Sequence, residues 1–182
     1  MPQAFSLGWS YTIPRCKVAA TMTNSVSAQD VPRPHRPRGV RTIGKVGRGL
    51  PSTRCGESPS PEFIQGIREF NRGEFFEAHE TLELIWMEET DPLRYLYQGI
   101  LQIGVGFYHL SRGNYKGAIA LWERGLRLLE PFRNGCLGVD VIQLMEETSI
   151  CQDTVKALGP GRLYEFELTL IPKVYDMNGN PI

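Results

Sequence analysis

No apolar run in these 182 residues approaches the roughly eighteen that a membrane-spanning helix needs, so nothing in the sequence reads as a transmembrane segment. Cysteine is scarce as well. Cys16, Cys55, Cys136 and Cys151 show neither CxxC nor CxxxH spacing, which leaves the usual zinc and redox patterns out. Cys136 and Cys151 stand in apolar helical surroundings and read as reduced core thiols, with no disulfide framework implied. Acidic residues are almost missing from the first part of the chain. Residues 1–55 carry nine Lys or Arg against Asp30 alone, while residues 56–182 carry eleven against nineteen acids. The formal charge of zero therefore hides a basic head and an acidic body, and an acidic body argues against nucleic acid as its partner.

The head is rich in Ser, Thr, Arg and Pro. It lacks the compact apolar core of a secretory signal, and its composition fits an organellar transit peptide. The first dozen residues contain no Arg, which favours plastid over mitochondrion, and Arg15 to Thr21 (RCKVAAT) resembles the small-residue cleavage context of plastid precursors. The stretch from Pro32 to Gly49 holds too few apolar residues to fold. Residues 1–55 are thus expected to be a disordered targeting segment, residues 59–160 a helical domain and residues 161–182 an extended tail. His35 has no assigned role.

What is abundant in the body is helical periodicity. Ser60 and Pro61 open a first helix that buries Phe63, Ile64, Ile67 and Phe70 and stops at Gly73. Phe75, Ala78, Leu82, Ile85 and Trp86 form the buried stripe of a second, ending near Met87, with Phe76 and Met87 expected at least partly buried. Thr90 or Asp91 can cap a third, with Pro92 in its first turn. This helix, Leu93 to Leu110, is apolar almost all round, as a central helix should be. Tyr115 to Leu129 makes a fourth and Val139 to Leu158 a fifth, before Gly159-Pro160-Gly161 breaks the chain. Arg72-Gly73-Glu74-Phe75 with Ala78 recurs forty residues later as Arg112-Gly113-Asn114-Tyr115 with Ala118, and the second copy is similar to a helix of a tetratricopeptide repeat. The fold expected is all-α: a compact bundle of about five helices built from antiparallel hairpins.

One narrow polar row interrupts the central helix: Arg94, Gln98, Gln102 and His109. Residues equidistant from the turn at Thr90–Asp91 come level in an antiparallel hairpin, so Glu83 meets Gln98, His79 meets Gln102, and Arg94 reaches Glu83. Those five residues should form a polar seam whose members satisfy one another, since an unpaired buried polar group costs roughly 1–3 kcal/mol.

The run FNRGEFFEAHETLELIW from Phe70, followed by an Arg, QGILQ and a YH pair, resembles the family known as domain of unknown function 309. The resemblance runs from about Phe63 to Leu158, and the family brings no established activity with it. The positions matching its recurrent polar pattern are His79, Glu80, Glu83, Arg94, Gln98, Gln102 and His109.

Three chemistries compete for these residues. His79-Glu80-x-x-Glu83 resembles half of a zinc-binding helix, which would make a metal-dependent hydrolase. The third ligand would have to be His109, which lies about seven residues along the axis from Gln102, on the order of 10 Å. That is too far for two imidazoles to share an ion readily. A metal-free hydrolase needs a nucleophile beside a base; Ser111 and Cys151 are not placed there by any spacing. An internal hydrogen-bond network is the plainer alternative. A binding site is the third: Arg94 with Gln98 and Gln102 suits a small anionic ligand or a peptide. The expectation is a non-catalytic binding module, with no cofactor named by the sequence.

Overall fold

The computed structural model describes residues 52–182, so the expectations placed on residues 1–51 lie outside the described residues. Among the described residues there are five α-helices: α1 (Pro61–Asn71), α2 (Phe75–Glu88), α3 (Leu93–Ser111), α4 (Tyr115–Leu129) and α5 (Val141–Leu158). Local chemistry sets their ends. The Ser60 hydroxyl accepts the Phe63 N–H, Asp91 Oδ1 accepts from Leu93, and Asn114 and Asp140 cap α4 and α5 in the same way. Because Asp140 is a cap, α5 begins two residues later than its apolar pattern implied.

The repeat seen in the sequence is structural. Gly73 and Gly113 both take positive φ, +76° and +72°. At each turn the glycine N–H bonds back three residues (Gly73 to Phe70, Gly113 to Leu110), and the next N–H reaches back five (Glu74 to Glu69, Asn114 to His109). The correspondence also extends further than the sequence motif. Gly66 of α1 lies flush against Leu82 of α2, and Gly106 of α3, forty residues on, lies flush against Trp122 of α4. Two similar hairpins, α1–α2 and α3–α4, are therefore stacked, and α5 packs against α4.

Helix α3 is the centre. Tyr97, Ile100, Gly104 and Phe107 point to the first hairpin, where Phe63 rests on Tyr97 and Phe75 stacks on Phe107. Gly99 and Ile103 meet Gly125 and Leu129 of α4 so closely that a Cβ on Gly125 would stand 2.9 Å from the Gly99 carbonyl oxygen. The remaining strip of α3, comprising Arg94, Gln98, Leu101, Gln102 and Val105, is only half-buried.

Several expectations are corrected. Cys136 is not a free thiol: it is bonded to Cys55, across 81 residues of sequence. The folded body accordingly begins before residue 55, inside the segment expected to be disordered. Ser52 is buried and hydrogen-bonds to the Asp91 carboxylate, Arg54 pairs with Glu89, and the Cys55 carbonyl accepts from Leu137 at 2.7 Å. Phe76 and Met87, expected to be at least partly buried, are among the exposed apolar side chains, as is Ile150 of α5. Among the described residues, no further element covers their helices on that side. The tail is not simply extended. It forms two short 3-10 turns, Leu163–Glu165 and Leu168–Leu170, then pairs through isolated bridges at Val139 with Asp176 and Tyr175 with Pro181.

Candidate functional site

The row Arg94, Gln98, Gln102 and His109 runs along the open strip of α3, with His79, Glu83 and Trp86 half-buried on the neighbouring helix. Glu80 is exposed on the outer side of α2. No hydrogen bond or ion pair among the described residues joins His79, Glu83, Arg94, Gln98 and Gln102 to one another. The expected mutual satisfaction is therefore replaced by something looser. Arg94 lies over the Trp86 ring, 5.7 Å from its centroid, rather than on Glu83. Trp86 Nε1 and Gln102 Oε1 are both buried without a partner among the described residues. An indole and a guanidinium attract through the ring quadrupole, and the flat cation is more weakly hydrated than an ammonium would be.

His109 turns away from this group. Its Nδ1 accepts from Asn114 Nδ2 at 2.8 Å, which ties the end of α3 to the start of α4. Burial holds the imidazole below its ordinary pKa. The unfolded chain therefore binds this proton more tightly than the folded one, so the contribution is full above about pH 6.5 and is lost as pH falls through the depressed folded value. The urea midpoint should drop between pH 7.5 and pH 5, and His109→Gln, which keeps a partner for Asn114 without a titrating ring, should flatten part of that drop. Equal slopes for the two proteins would refute the assignment.

Residues proposed for hydrolytic chemistry are not assembled. Among the described residues, no group of three or more His, Cys, Asp or Glu side chains lies close enough to hold a metal ion, so His79, Glu80 and Glu83 do not converge as a ligand set. The Cys151 thiol donates to the Leu170 carbonyl at 3.0 Å, and burial, helped by the Glu147 carboxylate, pushes it up to about 12. A thiol so protonated is a poor nucleophile. The Ser111 hydroxyl is spent on the Tyr108 carbonyl at 2.7 Å. A cleft of about 310 Å³ opens elsewhere, between α5 and the tail, lined by Ile150, Leu170 and Tyr175 with Glu147 and Lys173.

Residues 63–121, from α1 into α4, match a family model described as "Domain of unknown function (DUF309)". The chain resembles this family over that stretch. It is also similar to "Uncharacterized protein YpuF" of Bacillus subtilis (strain 168), at 33% identity over 102 residues, covering 52% of this chain. The chain spans 59% of the length of that relative. The DUF309 match covers α1 to α3, with the whole of the Arg94 row, but stops before α5, the tail and Cys136.

Sequence reasoning assigned Trp86 to the core, and its role under Arg94 was missed. The signal was present. Trp86 and Tyr95 are equidistant from the turn at Thr90–Asp91, so the same argument that set Glu83 beside Gln98 brings Trp86 level with the start of α3. The turn itself holds a second unanticipated group, since Glu89 accepts the N–H groups of Thr90 and Asp91 at 2.9 Å each while pairing with Arg54.

Proposed function

We propose that the protein is a non-catalytic binding module that takes a carboxylate-bearing ligand, a small anion or a peptide, along the open strip of α3. The observation that carries this reading is Arg94. One face of its guanidinium is held by Trp86, yet it has no carboxylate partner and no hydrogen-bond acceptor among the described residues. A planar fork of N–H donors fixed in this way favours a carboxylate, which it binds through two parallel bonds. Gln98 stands one turn further along, and Gln102 Oε1, buried without a donor among the described residues, is ready for an amide N–H. A peptide supplies both groups.

The test is a titration of the full chain with a library of short peptides bearing free C-terminal carboxylates, against the same library amidated, read by tryptophan fluorescence. Binders should prefer the free carboxylate, and Arg94→Ala should weaken them by roughly tenfold to a hundredfold, the range for a lost charge-assisted bond. Equal binding of the amidated peptides, or an unchanged affinity in Arg94→Ala, would sink the proposal. We also propose that the module works in a plastid, on the composition of its basic head; residues 1–51 fused to a fluorescent reporter should direct it there, and a diffuse cytosolic signal would remove that reading.

A further inference from the structure

Helix α2 buries Phe75, Ala78 and Leu82 on one side. Its opposite side should be polar if water were its only neighbour. It is not. Phe76 is 47% exposed, Leu84 64% and Met87 41%, and Tyr108 of α3, 37% exposed, extends the patch by lying 6.4 Å from the Phe76 ring. At about 100° per residue, Phe76, Glu80, Leu84 and Met87 project within roughly 80° of one another, so they form one stripe rather than scattered exposures.

The charge on this face has one sign. Helix α2 carries Glu77, Glu80, Glu83 and Glu88 and no Lys or Arg. Some carboxylates elsewhere on the described surface find cations: Glu57 and Glu89 pair with Arg54, Glu74 with Arg72, Glu130 with Arg133. None of the four on α2 takes part in an ion pair or a hydrogen bond among the described residues. Glu80 sits within the apolar stripe, Glu83 borders one edge, and Glu77 and Glu88 border the other.

We propose that this face of α2 docks a basic amphipathic helix of a partner protein. The stripe from Phe76 to Met87 spans twelve residues, about 16 Å from first to last, and so accommodates about three turns of such a helix. Apolar residues of the partner at i, i+3 and i+4 pack on Phe76, Leu84, Met87 and Tyr108, and its Lys or Arg residues neutralise the carboxylates on both edges. A second copy of this chain fits poorly, because a two-fold contact through the stripe would set Glu77, Glu80, Glu83 and Glu88 against their own counterparts. An anionic lipid surface is repelled by the same charges. The proposal is independent of the carboxylate site, which faces along α3 and uses Arg94.

The probe is a synthetic helix-forming peptide of about sixteen residues with Leu and Lys at helical spacing, titrated onto the isotope-labelled full chain, with a Leu/Glu peptide as control. The basic peptide should shift the amide resonances of residues 76–88 and Tyr108. Leu84→Gln and Met87→Gln, both on exposed positions that leave the core intact, should each weaken binding by about tenfold, the loss expected for a central apolar anchor. Glu80→Gln should weaken it less and reduce its salt dependence. Ile150→Gln, at an equally exposed apolar position on α5, should change nothing. Equal binding of the Leu/Glu peptide, or shifts confined to α5 and the tail, would overturn the proposal. So would a concentration-dependent dimer, in sedimentation of the unliganded chain, that Leu84→Gln dissociates.

Discussion

Replacing Trp122 with Ala lowers the unfolding free energy by about 4 kcal/mol, in the range for emptying a large aromatic from a core. The ring is fully buried between α3 and α4, 4.8 Å from the Phe107 centroid, and its Nε1 donates to the Ile103 carbonyl at 3.2 Å. The backbone of Gly106 fits directly against it. Collapse into the vacancy is therefore limited, because the wall on that side is a helix main chain with no side chain to swing inward. The equivalent change in the first hairpin, Leu82→Ala, should cost about 3 kcal/mol, since a smaller side chain leaves a smaller void. Urea unfolding of the two variants checks both figures. A loss below about 1.5 kcal/mol for Trp122→Ala would mean that the core repacks far more freely than close-packed interiors do.

The second large effect is expected from the Cys55–Cys136 bond. It closes a loop over 81 residues that includes α1 to α4. Opening it returns conformational freedom to the unfolded chain worth about 3–4 kcal/mol. Cys55→Ser should show that loss with no change in helix content, because the five helices keep their packing and four of them their side-chain caps. The oxidised wild type treated with a strong reductant should unfold at the midpoint of the Cys55→Ser variant, and the variant itself should be indifferent to the reductant. Coincident transitions for the oxidised protein and Cys55→Ser would show that the cross-link adds nothing. The ion pair of Arg54 with Glu89 will not compensate, since solvent screens the charge of so exposed an arginine.

The helices were legible because each one is specified locally. Ser60, Asp91, Gly73 and Gly113 act within a few residues of themselves, and the apolar spacing of Phe63, Ile67 and Phe70 needs no partner to be recognised. The disulfide was not legible. Cys55 lies within a basic, proline-rich context that points away from folding, and a contact across 81 residues leaves no periodic trace. Exposure of Phe76 and Met87 was missed for a related reason: periodicity shows that a residue is apolar, whereas burial depends on whether another element covers it. The polar row on α3 was placed correctly along its helix, and only the pairing failed. Level pairing fixes backbone height to within about a turn, but several side chains then lie in reach, and Arg94 settles on the flat indole of Trp86 in preference to the Glu83 carboxylate. Nothing in spacing alone decides between them.

Asn71 ends α1, and its side-chain amide accepts the Val174 N–H at 2.7 Å while donating to the carbonyls of Val174 and Ile182 at 2.9 and 3.1 Å. One side chain thereby serves as a surrogate strand for the closing stretch of polypeptide, which wraps back across more than a hundred positions to find it. Loosening the opening helix and peeling away the final dozen residues should consequently be one event, not two, and amide protons at both ends of this body should exchange with solvent in step.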